Sequence, residues 1–435
     1  MHSSTEHLTT RLVACCALAT LALLIGGVGT SRASVTTALT DLQTSGKIDA
    51  DKAKAARKTY LAARSLRKKL KGARQLPLTN QLRTLESLAR KNRITGDRVT
   101  PLFSQLQVNV DWFRTKNPAA VGTRSRFGDS RIYYQYFAGW GWQFHPLANF
   151  SQLNAIWTDK SAAARRALSA YAKELISFGV LRGGALTWEY YFPFSGSPAP
   201  FISSISQGTA VQSLARSGNA LADPEITAAA TRAARAFTVS APTGLKVSRD
   251  GGYYFAGYSG NRSEFIFNMF AQALDGLHDY AKITGDTASM AVFEKGLITA
   301  RRQMPKTDTG AWSYYELGGA ESNLNYHQVL VEFLARLCED TSDEAVFCDL
   351  HDRLSSYLTQ KPTISKISKK TRSGRIYVTF MLSKVSTVTV KVAGGGSATA
   401  TVARGKRVFS VKKARSSAVT ITVKDLAGNS AQYSK

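Results

Sequence analysis

The decisive text is 206-SQGTAVQSLARSG-218, followed by 252-GYYFAGYSGNRSEFIFNMFAQALDGLHDY-280, 308-DTGAWSYYEL-317 and 323-NLNYHQVLVEFL-334. Apolar residues recur at helical intervals in three of these stretches, and each run is approached through a loop crowded with Tyr, Gly and Asn. Phenols and amides gathered at helix starts suit a polar, ring-shaped ligand. The same period predicts helices over 207–218, 223–238, 262–284, 286–304, 324–338 and 342–358, with Thr341-Ser342 as N-cap of the last. Helical pairs that each hide one face against the next predict a mainly α fold, an α/α toroid-like domain over 119–360.

Working outward, 131-RIYYQYFAGWGWQFHPLANF-150 and 187-TWEYYFPFSGSPAPFISS-204 are aromatic and interrupted by Gly and Pro, which predicts extended segments or hairpins. Residues 151–180 between them read as helix. Two or three helices are expected in the basic segment 34–118, punctuated at Gly72, Pro77 and Thr95-Gly96. From Lys361 onward, apolar and polar residues alternate between turns, so 361–435 predicts a small antiparallel β-sandwich. Its ending, 422-TVKDLAGNSA-431, resembles bacterial Ig-like modules.

The formal net charge of +27 is unevenly placed. Residues 44–118 hold 18 Lys+Arg against 5 Asp+Glu, and 361–435 hold 16 against 1, while 119–360 hold 21 against 22. The charge therefore belongs to the flanks, which either form a solvated basic surface or attract anionic cell-wall polymers. No nucleic-acid-binding motif accompanies it. Arg11, the apolar run 12-LVACCALATLALLIGGVG-29 and Ser31-Arg32-Ala33 read as a signal peptide over 1–33, which implies a secreted or envelope-associated protein. Export leaves Cys338 and Cys348, which most simply form a local disulfide; a metal site would have only His351 nearby. There is no P-loop, no G-x-G-x-x-G after a strand, no H-E-x-x-H and no G-x-S-x-G.

The order and spacing of the opening blocks resemble the C-terminal domain of the D-glucuronyl C5-epimerases, most firmly over 206–333. The resemblance implies inversion of C5 in a D-glucuronate unit of an acidic polysaccharide, without a cofactor or metal, by an enzyme that pairs into homodimers. The family's TGxGxxYDL-like stretch matches 309–317 and places one catalytic phenol at Tyr315; its DYH stretch matches Asn325-Tyr326-His327 and places another at Tyr326. Its EEYP stretch matches 256–259, keeping Tyr258 but setting Gly257 where the family has Glu. The family's arginine falls near Gly318. Asn268 and His327 match substrate-side positions, and a weaker echo around 134–143 adds Tyr136 and Gln143. Glu189, Glu264 or Glu321 could replace the missing acid, and Arg262 the missing cation.

Three readings stay open on the residues alone. Proton abstraction and return by tyrosines gives an epimerase, and the same abstraction followed by loss of the C4 substituent gives a polysaccharide lyase. An aromatic groove without an acid/base set gives a non-catalytic glycan-binding protein. Each singled-out tyrosine also has a plain alternative as a half-buried packing phenol.

Overall fold

The structure, a computed structural model, describes residues 34–415 and 418–434. The expected signal peptide, with Cys15 and Cys16, lies outside the described residues.

Four helices, not two or three, open the chain: α1 (Val35–Thr44), α2 (Ala50–Lys69), α3 (Gln75–Arg90) and α4 (Gly96–Thr115). The extra break is at Gly46, whose φ of +69° ends α1 before Asp49 caps α2. A three-stranded antiparallel sheet follows, β1 (Arg124–Ser125), β2 (Tyr134–Phe137) and β3 (Gly141–Phe144). The expected helix over 151–180 is two, α5 (Pro146–Thr158) and α6 (Ala162–Ser177), because Ser161 starts a new helix by accepting from the Ala164 N–H. The hairpin β4 (Val180–Arg182) and β5 (Ala185–Thr187) leads into 188–203, which is extended as expected and tied by the isolated bridges Tyr190–Phe201, Phe194–Ser197 and Ser203–Tyr258.

The helical series then runs α7 (Ser204–Leu221), α8 (Pro224–Ala234), the hairpin β6 (Lys246–Arg249) and β7 (Gly252–Phe255), α9 (Phe267–Thr284), α10 (Thr287–Gln303), α11 (Leu324–Asp340) and α12 (Ala345–Ser356). Residues 262–266, expected as helix, are not helical, and Ile266 bridges to Glu316. Thr341-Ser342 does not cap α12: Thr341 donates to the Leu337 carbonyl, Ser342 and Asp343 have positive φ, and the N-cap is Glu344. The turn is closed by a Cys338–Cys348 disulfide, with Cα atoms 4.9 Å apart.

Helix α7 packs on α5, α8 and α9, α9 on α10 and α11, and α11 on α12, around one hydrophobic core that also takes in α1–α4. The tightest approach is between α7 and α9. A Cβ at Gly276 would stand 2.2 Å from the Gly208 carbonyl oxygen, and one at Gly208 would stand 2.8 Å from Ala273 Cα. Only backbone fits there.

The C-terminal region has seven strands: β8 (Ile364–Arg372), β9 (Arg375–Leu382), β10 (Ser386–Val392), β11 (Ser397–Val402), β12 (Gly405–Lys412), β13 (Val419–Asp425) and β14 (Ser430–Ser434). They form two antiparallel sheets, β11-β10-β13-β14 and β12-β9-β8, over a shared second core. The period-2 burial of β9, β10 and β13 accounts for their alternating sequence. No described helix is long and apolar enough to cross a membrane.

The α7–α9 contact makes a direct prediction. Gly276→Ala should lower unfolding stability by about 2–4 kcal/mol, read from urea melts, because the new methyl must push two helix backbones apart. An unchanged midpoint would show that the helices do not cross this closely.

Candidate functional site

A cleft of about 340 Å³ opens where the starts of α5, α7, α9 and α11 meet the outer face of β1 and β2. Leu147, Ile205, Asn268, Met269, Asn325 and Tyr326 line it from the first turns of those helices. Converging helix N-termini carry partial positive charge and favour an anionic guest. Two buried polar atoms of the wall, Asn268 Oδ1 and Ser203 Oγ, have no hydrogen-bond partner in the protein. Orphaned buried acceptors and donors of this kind are expected where a ligand supplies the missing partner.

Tyr258, Tyr315 and Tyr326 share this cleft. Tyr258 is set by main-chain pairing of 257–259 with 202–204 and by edge contacts with Phe194 and Phe201. Tyr315 sits on a strap, residues 308–323, whose two sides pair through Tyr315 N–H to Ala320 O (3.0 Å) and Ser322 N–H to Ser313 O (2.8 Å). Tyr326 opens α11, where Asn323 caps its N–H, and its ring lies 4.8 Å from that of Tyr315. Burial pushes the Tyr315 phenol up to about 12; nearby Tyr326 adds to the rise, and the hydrogen bond with Tyr258 opposes it. Burial also raises Tyr258. Both are therefore acids at rest.

Among the described residues, the only formally charged side chain lining the cleft is Arg124, on β1. Its Nε donates to Gln135 Oε1 at 2.8 Å. His145 joins the wall as the N-cap of α5, its Nδ1 accepting from the Ala148 N–H at 3.0 Å, so the ring proton sits on Nε2. Burial, then the charge of Arg124, pushes this imidazole down to about 3, and it stays neutral. The described wall thus presents one cation, one neutral imidazole, several phenols and amides, and no carboxylate. Glu264, expected as a replacement acid, stands beside the wall, where it accepts from Ser195 Oγ and Asn261 Nδ2 and its charge adds to the rise that burial causes in Tyr258 and Tyr315. A larger hollow of about 550 Å³ lies among α2, α4 and α6, but Ser130 Oγ and the Arg131 N–H occupy its Glu174, and its phenol, Tyr134, is buried. The smaller cleft is where chemistry-bearing groups converge.

Of the other residues expected to meet a substrate, Asn268 lies on the wall and the rest do not. Glu189 is 1% exposed and locked between two guanidiniums: Arg98 of α4 holds both its oxygens at 2.8 Å, and Arg182 Nη1 is 3.0 Å away. It ties the basic helices to the central domain. Glu321 accepts from the N–H groups of Val385 and Arg404 in the β region, which rules it out as a replacement acid here. Arg262 is exposed and outside the cleft. His327 is fully buried, stacked on Trp312 at 3.8 Å, and bonded to Ser313 Oγ (2.7 Å) and the Leu354 carbonyl (3.0 Å). Burial lowers its pKa to about 4, so it is a neutral staple behind the strap. Tyr136 points into the core against Trp142, and Gln143 spends its amide N–H on the Trp140 carbonyl.

On β2 it is the alternate residues, Gln135 and Phe137, that face the cleft. Sequence reasoning missed these, together with Arg124, His145 and Tyr190; the period of the strand puts the first two on one face without saying which face is buried. The position of the absent acid also has a steric account. A Cβ at Gly257 would lie 3.2 Å from Ile266 Cδ1 and 3.3 Å from Met269 Sδ, so a side chain there would press on the ends of both. Gly318 has φ +77°, a turn conformation unsuited to the missing arginine.

The family model described as D-glucuronyl C5-epimerase C-terminus matches residues 182–356. Over 166 residues the chain is 24% identical to an uncharacterized protein of Methanocaldococcus jannaschii, a match covering 37% of this chain and 54% of that protein. The chain thus spans about half the length of that curated relative. Among solved structures it is similar to the unsaturated glucuronyl hydrolase of Bacillus sp. GL1, responsible for the degradation of glycosaminoglycan, with 12% identity and a TM-score of 0.36 over 66% of this chain and 72% of that one.

Glu189→Ala should cost about 3–5 kcal/mol of stability, since it leaves two buried guanidiniums uncompensated. Denaturant melts check this; a loss under about 1 kcal/mol would mean the pair is solvated.

Proposed function

We propose, from the match of residues 182–356 to the D-glucuronyl C5-epimerase C-terminus family model, that the chain is a glycan-modifying enzyme that inverts C5 of a D-glucuronate unit within an acidic polysaccharide. The observation that carries this reading is the grouping of Tyr258, Tyr315 and Tyr326 around a cleft whose only charged lining residue, among those described, is Arg124. A phenolate takes the C5 proton, the C5–H electron pair moves into the carboxylate as an enediolate, and a phenol on the other side returns a proton to the opposite face. Arg124 and the converging helix starts hold the charge that develops on the carboxylate. Asn268 Oδ1 accepts a sugar hydroxyl, and His145 Nε2–H donates to another oxygen.

The finer features belong to the same proposal. The helical pairs of the central domain read as an α/α toroid, and the two-sheet unit as an Ig-like module. The Cys338–Cys348 disulfide supports export. The basic flanks supply a long-range attraction for anionic polymers. One observation favours a second reading: with Gly257 in the place of an acid and no carboxylate on the described wall, a non-catalytic glycan-binding protein keeps the groove without the reaction.

Incubating the protein with glucuronate-containing polysaccharides in heavy water should place deuterium at C5, read by NMR, with iduronate signals appearing. Tyr315→Phe or Tyr326→Phe should lower the rate by about 100-fold or more, and Arg124→Gln by a similar factor. Binding without exchange would establish the glycan-binding reading, and an unsaturated uronate product would establish a lyase.

The raised Tyr315 phenol sets the pH profile. The base must be deprotonated, and with burial pushing this phenol up to about 12, phenolate grows about tenfold per pH unit below that value. The logarithm of kcat/KM should climb with about unit slope from about pH 7 to about pH 10. A plateau beginning below about pH 8 would exclude this phenol as the base.

A further inference from the structure

The C-terminal β unit meets the rest of the chain through loops at one end. Lys384 and Val385 lie between β9 and β10, Arg404 lies between β11 and β12, and Asn429 lies between β13 and β14. Two of these loops land on the strap that carries Tyr315. Glu321 accepts from the Val385 N–H at 3.1 Å and from the Arg404 N–H at 2.9 Å. Arg404 Nη1 donates to the Tyr314 hydroxyl at 2.7 Å. Lys384 Nζ stands 5.4 Å from the centre of the Trp312 ring. Lys384 is itself fixed, 2.6 Å from Asp425 with both side chains 1% exposed, and it donates to the Tyr357 carbonyl at 2.9 Å. Asn429 completes the joint by donating to the Leu358 carbonyl at 2.9 Å.

The grip falls on both sides of the strap, at two residues that face each other as a bridge, Tyr314 and Glu321. Successive side chains of an extended segment point to opposite faces. Here Tyr314 reaches the β unit while Tyr315, the next residue, lines the cleft. Holding one face of the strap therefore fixes the aim of the other. The Glu321 side of the strap also supplies the Ala320 carbonyl that receives the Tyr315 N–H. A carboxylate is needed at 321, because two N–H donors converge on it; an amide would offer one acceptor and bring a donor against a donor.

We propose that the C-terminal β unit is a positioning device for the cleft: through Glu321 and Tyr314 it sets the orientation of the Tyr315 phenol. This rests on the reading of the cleft as the site of reaction. The unit is then part of the working enzyme, and Glu321, Arg404 and Tyr314 are positioning residues that never touch substrate.

The test uses the full chain with Glu321→Gln and Tyr314→Phe. Amide hydrogen exchange by mass spectrometry follows 313–322, and the ¹³C ring resonance of Tyr315 reports its environment. Values of kcat and KM come from deuterium incorporation at C5. Glu321→Gln should speed exchange in the strap by about tenfold or more and shift the Tyr315 resonance. It should lower kcat by about tenfold with KM within about twofold, as expected for a misaimed group. Tyr314→Phe should move the same quantities in the same direction, by less. Amides of α9 and β13 should keep wild-type protection in both.

If Glu321→Gln also loosens β13, Tyr314→Phe becomes the deciding variant, because it removes one hydroxyl and leaves the main-chain joint intact. Wild-type strap exchange and an unmoved Tyr315 resonance in Tyr314→Phe would overturn the proposal. So would a looser strap with unchanged kcat. A wild-type protein that incorporates no deuterium from any polymer would instead strike the epimerase reading, and the exchange and resonance data would still decide whether the β unit aims Tyr315.

Discussion

The cleft depends on how closely two helices approach. Where α7 and α9 cross, Gly208 and Gly276 let backbone meet backbone. Gly208 lies little more than one turn into α7, so this contact sets the spacing between the start of that helix, at Ser203, and the start of α9, at Asn268. Ser203 and Asn268, the two wall residues with an unpartnered buried polar atom, sit at those two starts. Helices held apart by ordinary side chains would sit about 8–10 Å between axes. A smaller separation brings the partial charges of the N-termini onto one small volume.

Electrostatics inside and outside the cleft have different origins. The flanks carry nearly all of the net charge, yet among the described residues the cleft takes only Arg124, from the nearly neutral middle of the chain. Flank charge acts at a distance and is weakened by salt, so it can gather a polyanion but cannot discriminate one sugar carbon from another. Arg124 acts at contact range: burial first, and then its charge, hold His145 neutral. A neutral imidazole donates a hydrogen bond without adding a second charge, which leaves Arg124 the one charged partner the described wall offers an anionic guest.

Much of this is legible in the sequence because helices with one apolar stripe announce themselves. The segments from α7 to α12 appear within a few residues of their expected places, and the β region betrays itself by its alternation. What escapes does so for physical reasons. The helical pattern begins at 262 but α9 starts at Phe267, because pairing of Ile266 with Glu316 overrides a favourable local preference. Glu189 looks functional as a lone acid among aromatics, but its partners, Arg98 and Arg182, lie 91 and 7 residues away, and only the fold brings both to it. Tyr136 takes precedence over Gln135 in the sequence because no feature of a short strand states which face is buried. Arg124 has no local signature at all. The three tyrosines are found through resemblance, which carries tertiary information that periodicity lacks.

The joint at Glu321 has an asymmetry in what it asks of the chain. On one side it requires a particular chemistry, a carboxylate at a particular place; on the other it takes two main-chain N–H groups, which every residue except proline provides. The contact at Val385 therefore asks only for a backbone path, and its side chain can drift without loosening the joint. Arg404 cannot drift in the same way, because its guanidinium also holds the Tyr314 hydroxyl, so a replacement β module would have to bring two amides at the same spacing and a cation beside the second.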